Sequence, residues 1–301
     1  MFGKKKVVYI LGAGAAYGFA HVGVLQYCEE HNLYPAAIGG TSIGALMGAL
    51  YASGISSREL LEITEELNLM RYLRIFAPGM HTGGFVKQGG VRQLLEPYLS
   101  DLNIEDLPIP FFCCATDILT GEEIVFTKGS VIEAVLASIS IPILFVPYQY
   151  QDRYLVDGAL VNPVPWNHAY SYGDFALSVS FRANIDKNKK PKKNKNKQIQ
   201  QFPLLEQNNV IKKALENTEE DGPGMGDTLS NTLMIYQQAL LKDLKPVPFK
   251  HSIIDLDLSL YNMFEFLKAK EIYQSGYRQA AKYSNLIRRL GKNSKKPKIY
   301  R

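Results

Sequence analysis

Gly40-Thr41-Ser42-Ile43-Gly44 places a serine between two glycines, with an apolar run on either side. Pro35 to Ile38 fits the end of a strand, and Ile43 to Ala52 fits the start of a buried helix. A strand, a sharp turn and a helix around Gly-x-Ser-x-Gly make a nucleophile elbow, which lifts the serine hydroxyl out at the tip of a sheet. A side chain at Gly40 or Gly44 would crowd that turn. The following helix aims its free N–H groups and positive dipole end at the point where negative charge develops. The plainer use of the same residues is a helix start capped by Thr41 or Ser42.

A glycine-rich loop, Gly12-Ala13-Gly14-Ala15-Ala16-Tyr17-Gly18, follows the strand-like Val7–Leu11 and precedes Phe19–Glu30. In that second stretch Ala20, Val24 and Tyr27 or Cys28 recur at helical spacing. A dinucleotide site needs Gly-x-Gly-x-x-Gly and an acidic residue ending the next strand. Here the spacing is Gly-x-Gly-x-x-x-Gly, and the next strand ends in Gly39-Gly40-Thr41-Ser42. The other use of such a loop is an oxyanion hole, with the backbone N–H groups of Gly12, Ala13, Gly14 and Ala15 as candidate donors. Loop and elbow would lie at the carboxyl ends of neighbouring parallel strands, where α/β proteins place their sites.

The base is the third requirement. Asp157 ends the strand-like Arg153–Val156, and Gly158 allows a turn and close backbone approach. An Asp-Gly pair is also an ordinary turn. Of the five histidines, His21 lies one turn past the loop among apolar neighbours and reads as a packed, hydrogen-bonded side chain. His31, His81, His168 and His251 have no motif around them.

The elements that must position these groups alternate between strand and helix over residues 5–181, which argues for an α/β fold with a mostly parallel central sheet flanked by helices. Residues 57–69 read as an amphipathic helix, 77–90 as a glycine-rich loop and candidate lid, and Val91–Leu99 as a short helix. Ile109–Thr116, Ile124–Thr127, Phe175–Phe181 and His251–Leu256 read as strands; Val131–Ser138, 210–220 and 227–243 read as helices. Met263–Leu290 reads as a long amphipathic helix broken near Gly276. The chain is expected to be one domain over 1–290, with a basic tail at 291–301.

With 301 residues, 46% hydrophobic, the chain can bury a sizeable core, and its net charge of +5 is locally concentrated, against a nucleic-acid-coating surface. Lys187 to Lys197 holds seven lysines and no apolar residue. That run is either a solvated loop or a contact for anionic lipid head groups. The aromatic stretches near Phe76, Phe85 and Tyr148-Gln149-Tyr150 would join it at a membrane surface, as a peripheral contact. Cys28, Cys113 and Cys114 have apolar neighbours and no Cys-x-x-Cys spacing, the pattern of buried free thiols in a reducing, cytoplasmic compartment. The apolar core after Lys4-Lys5-Lys6 is too short for a signal peptide, and no transmembrane run is present.

Taken together, the three elements resemble the patatin-like phospholipase family. Gly12–Gly18, Gly40–Gly44 and Asp157-Gly158-Ala159 match its three motifs in order. His21–Leu25, Ala115-Thr116-Asp117, Ala137-Ser138 through Pro147, and Asn162-Pro163-Val164-Pro165 also look like its bacterial members. The resemblance implies a patatin-like three-layer fold and a Ser42–Asp157 dyad with no metal or cofactor. It implies hydrolysis of phospholipid or other acyl esters, or alternatively acyl transfer, or lipid binding with little turnover. The loop departs from the family: Ala13 and Ala15 replace glycines, and Tyr17 stands where an arginine is usual. If an alanine had to sit left-handed it would cost about 1–2 kcal/mol; Gly12, Gly14 and Gly18 are the residues expected to take such angles instead.

Overall fold

A computed structural model describes residues 6–66, 88–182, 225–243, 249–292, 294, 296 and 297. The lysine run, Phe76, Phe85, His81, the 210–220 helix and most of the 77–90 loop lie outside them.

Strand β1 is Val7–Leu11, followed by a 3₁₀ turn at Ala15–Gly18, helix α1 at Phe19–Glu30, strand β2 at Ala37–Thr41 and helix α2 at Ile43–Ala52. Helices α3 (Ser57–Glu66) and α4 (Gly89–Leu99) lead to β3 (Phe111–Asp117), β4 (Glu123–Phe126), α5 (Val131–Ser138), β5 (Tyr148–Tyr150), β6 (Arg153–Asp157) and β7 (Phe175–Arg182). Then come α6 (Met225–Asp243), β8 (His251–Asp257), α7 (Ala269–Ala280) and α8 (Ser284–Gly291). The sheet order is β5-β6-β3-β2-β1-β7-β8, with β4 added on β3. The pairs among β3, β2, β1, β7 and β8 are parallel; those involving β4, β5 and β6 with their neighbours are antiparallel. Every residue of β1 is buried, as a central parallel strand requires when both faces are covered. One face carries the helical layer. The other, with Val8, Ile10, Phe112 and Ala176, is covered more thinly, by Val164, Trp166 and Ala169 and by Leu241 of α6.

The register on β3 has a consequence for the site. Cys113 and Cys114 pair with both β2 and β4, so those two strands lie on opposite edges. Ala115 and Thr116 pair with both β4 and β6, so these also lie on opposite edges. Strands β2 and β6 therefore share one edge. They run toward each other and stop at adjacent registers, Thr41 beside Cys114 and Asp157 beside Ala115.

Strand β2 runs through Gly39 and Gly40 to Thr41, because ladder pairing with β1 and β3 outweighs glycine's weak strand preference. Two expectations need correction. Tyr148–Tyr150 is an edge strand, and the Tyr148 hydroxyl donates to Glu133 and accepts from Arg92, so this stretch is not an aromatic surface loop. Helix α7 passes unbroken through Gly276 and ends after Ala280. Gly276 is a contact point: a Cβ there would stand 2.3 Å from the Ala20 carbonyl oxygen, and one at Gly23 would stand 2.3 Å from that of Tyr273. Helices α1 and α7 thus cross backbone to backbone. Gly276→Ala should lose about 1–3 kcal/mol through overpacking, whereas Gly89→Ala, with nothing within 4 Å, should lose nothing. Urea unfolding of the two variants checks the difference.

Candidate active site

Ser42 sits at φ 57, ψ −125, between the end of β2 and the first turn of α2. This left-handed angle on a non-glycine residue at a strand-to-helix turn is the geometry expected of a nucleophile elbow. The flanking glycines permit it. A Cβ at Gly40 would stand 2.4 Å from the Gly44 carbonyl oxygen, and one at Gly44 would stand 2.0 Å from that of Leu11. Helix α2 therefore rests directly on strand backbone. Ser42 N–H donates to Ser138 Oγ (2.9 Å), whose hydroxyl donates to the Cys114 carbonyl (2.7 Å).

The Ser42 hydroxyl donates to Asp157 Oδ2 at 2.5 Å, and Asp157 Oδ1 accepts from Ala159 N–H at 2.8 Å. Asp157 N–H donates to the Ser140 carbonyl, and its own carbonyl accepts from Thr116 Oγ1. Gly158 lets this turn lie against β3: a Cβ would stand 2.3 Å from the Cys114 carbonyl oxygen. Burial pushes the Asp157 carboxyl up to about 7, against the two hydrogen bonds, which lower it. Among the described residues, no histidine bonds Ser42 or Asp157. His21 instead places Nε2 2.8 Å from the Gly12 carbonyl, and burial pushes it down to about 4, so it is neutral.

The glycine-rich loop is held at nearly every peptide. Gly12 N–H donates to the Val179 carbonyl, Ala13 N–H to Pro163 and Ala16 N–H to Met263. Two of the four expected oxyanion donors, Gly12 and Ala13, are thus committed to neighbouring backbone. Gly14 and Ala15 line the cleft with Ser42 and Asp157, and no described backbone bond takes their N–H groups. The left-handed angle falls on Ala15, at φ 46, rather than on a glycine. Gly14 is needed for space: a Cβ would meet the Phe181 ring at 2.5 Å. Tyr17 donates its hydroxyl to the Tyr261 carbonyl at 2.8 Å.

A cleft opens over Ser42 and Asp157. Its floor is polar, and its walls include Ile141, Leu160, Leu233 and Met263, the arrangement of a site for a largely apolar ligand. Ser138 and Ser140 carry no motif of their own and were not legible as site residues; only the family resemblance over Ala137 to Pro147 touched them. Behind Thr41, the ligand atoms of Cys114, Glu123 and His168 lie within 4.8 Å of one another, close enough for a metal ion. Protein donors already satisfy that carboxylate: Glu123 Oε1 takes Asn162 Nδ2 at 2.7 Å and His168 Nε2 at 3.0 Å. All three cysteines are buried free thiols.

Comparison with known proteins follows the same lines. The patatin-like phospholipase model matches residues 9–170, and the chain belongs to that family. The uncharacterized NTE family protein Rv1063c of Mycobacterium tuberculosis is 32% identical over 160 residues, 53% of this chain and 44% of the relative. Rv2565 of the same organism is 28% identical over 282 residues, 91% of this chain and 45% of the relative. Mouse patatin-like phospholipase domain-containing protein 7 is 32% identical over 193 residues, 60% of this chain and 14% of that protein. The chain therefore spans less than half the length of these relatives. The crystal structure of VipD from Legionella pneumophila aligns with a TM-score of 0.47 at 13% identity, covering 94% of this chain and 67% of that one. Among the described residues, no helix is long and apolar enough to cross a membrane.

Two predictions follow from this geometry. Folded Asp157 has its carboxyl raised above the unfolded value of about 3.9, so its stability contribution is fully present below pH 4 and lost as pH rises through 7. Asp157→Asn should therefore be more stable than wild type at pH 8, by a margin of a few kcal/mol at most that closes toward pH 4; thermal melts across that range test it. Ala15→Gly relieves the left-handed alanine and should gain about 0.5–1 kcal/mol, whereas Ala16→Gly should lose a similar amount.

Proposed function

We propose that this protein is a serine acyl hydrolase of lipid esters, of the phospholipase A or lysophospholipase type, with Ser42 as nucleophile and Asp157 as base. The observation that carries the reading is the 2.5 Å Ser42–Asp157 hydrogen bond on the floor of an apolar-walled cleft, beside the unengaged Gly14 and Ala15 N–H groups. The ester's acyl chain lies along the apolar walls. As Ser42 Oγ bonds to the carbonyl carbon, its proton passes to Asp157. The carbonyl oxygen takes the negative charge and is met by the Gly14 and Ala15 N–H groups. The intermediate collapses, the C–O bond to the alcohol breaks, and Asp157 returns the proton to the departing oxygen. Water then attacks the acyl-enzyme, losing its proton to Asp157, and the free acid leaves as Ser42 recovers its proton.

A carboxylate with an ordinary pKa is a poor match for a serine hydroxyl. Burial narrows that gap by raising Asp157 toward neutrality. The site works only with Asp157 ionised, so activity should fall as pH drops below about 7. An alcohol that replaces water at the second step would yield a new ester, the acyl-transfer version of the same chemistry.

Labelling with a fluorophosphonate, with the adduct mapped by mass spectrometry, tests the assignment. The adduct should fall on Ser42, vanish in Ser42→Ala, and form at least 100-fold more slowly in Asp157→Asn and in Gly14→Val, the latter through a displaced oxyanion donor. Wild-type labelling rates in Asp157→Asn would sink the dyad.

A further inference from the structure

His21 is a buried, neutral, titratable side chain that the reaction above does not use. It lies on α1, one turn beyond the glycine-rich loop, with no exposure to solvent. Its Nε2 is 2.8 Å from the Gly12 carbonyl oxygen. A carbonyl only accepts, so Nε2 carries the proton, and Nδ1 is left as the unprotonated nitrogen. Nδ1 is buried and has no hydrogen-bond partner among the described residues. An orphaned buried acceptor is destabilising, because it loses its hydration with nothing in return. A phenylalanine or methionine filling this volume would carry no such penalty, so the one bond that the ring makes merits a role.

That bond acts on a single peptide plane. In a trans peptide the C=O and N–H point in opposite directions. The Gly12–Ala13 plane is gripped at both ends, its oxygen by His21 and its N–H by the Pro163 carbonyl at 2.9 Å. Two peptides further on, the Gly14 carbonyl accepts from Tyr17 N–H at 3.0 Å, which turns the opposite end of that plane, the Ala15 N–H, away from the turn. The intervening Ala13–Gly14 peptide carries the other unengaged donor and hangs between these two fixed planes. The His21 ring also packs against Phe181 at 4.7 Å between centroids, and Phe181 is the ring that leaves no room for a side chain at Gly14.

We propose that His21 is a positioning residue for the oxyanion hole: its Nε2–H holds the Gly12 carbonyl and thereby fixes the direction in which the Gly14 N–H points. This rests on the reading of Ser42 as nucleophile and Gly14 as oxyanion donor. The histidine neither touches substrate nor exchanges a proton. Its neutrality keeps the clamp constant across the working pH range.

His21→Met keeps the volume and removes the donor; His21→Gln restores an N–H at a similar reach. Each is assayed with a soluble short-chain ester and its thionoester, in which sulfur replaces the carbonyl oxygen. Sulfur is larger and a poor hydrogen-bond acceptor, so a working oxyanion hole favours the oxygen ester. In His21→Met, kcat for the oxygen ester should fall about 10- to 100-fold with KM within threefold of wild type. The oxygen-over-sulfur preference should shrink by a similar factor, and His21→Gln should recover most of both. An unchanged preference ratio in a folded His21→Met would overturn the proposal. So would a loss that Gln fails to rescue and that follows the drop in melting temperature, since that is packing alone. Fluorophosphonate labelling of wild-type Ser42 is run beside these assays. A wild type that neither labels nor turns over the ester refutes the hydrolase reading itself, whereas a labelled wild type with an indifferent His21→Met refutes only the positioning role.

Discussion

Two strands that run toward each other along one edge of β3 bring Ser42 and Asp157 within a hydrogen bond. Each is the last residue, or the residue after the last, of its strand, and the two ends abut at Cys114 and Ala115. Residues 115 positions apart are thereby placed by backbone ladders, the stiffest positioning device a sheet has, rather than by side-chain packing. The rest of the site is arranged around that junction. Ser138 ties the elbow's N–H to β3, Ser140 holds the Asp157 N–H, and Thr41 ties the end of β2 to the Asn162 carbonyl. The glycines at 40, 44 and 158 let the surrounding backbone close on the junction with no side chain in between.

Burial and strain concentrate at the same place. Asp157 is buried, and the two hydrogen bonds its carboxyl accepts among the described residues, from Ser42 and Ala159, do not offset that burial, so its ionised form is disfavoured in the fold. Ser42 and Ala15 both occupy left-handed angles that most residues avoid. Such features persist only where the surroundings over-determine them. Here the surroundings are the β1–β2–β3 ladder, the α1–α7 glycine crossing and the carbonyls of Val179, Pro163 and Met263 that pin the loop.

How much of this was legible in the sequence depended on how local the cause was. The bounds of Val7–Leu11, Phe19–Glu30, Ile43–Ala52 and Val131–Ser138 agree with the structure because each is an apolar run closed by glycine, proline or a polar residue. The pairing of Ser42 with Asp157 came from the family resemblance, since nothing local to either residue names the other. Long-range causes stayed hidden. That Gly12 and Ala13 spend their N–H groups on the distant carbonyls of Val179 and Pro163 cannot be read from the loop, and it halves the set of candidate donors. Gly276 looked like a helix breaker because its partner, the backbone of α1, lies far away in the chain. The left-handed angle sits on Ala15, while Gly14 serves for clearance from Phe181, and neither assignment is visible in the loop's composition.

The cleft is assembled from two separate parts of the chain. Its floor is built by residues 12 to 159, and almost all of the floor is backbone or a side chain locked to backbone. Much of its wall comes from α6 and the turn after β8, through Leu233, Tyr236 and Met263. Helix α6 is tied to the opposite wall by the bond from the Tyr236 hydroxyl to the Leu160 carbonyl. On the hydrolase reading proposed above, the groups that would react and the surfaces that would select the acyl chain come from different segments, so the second could diverge while the first stayed fixed.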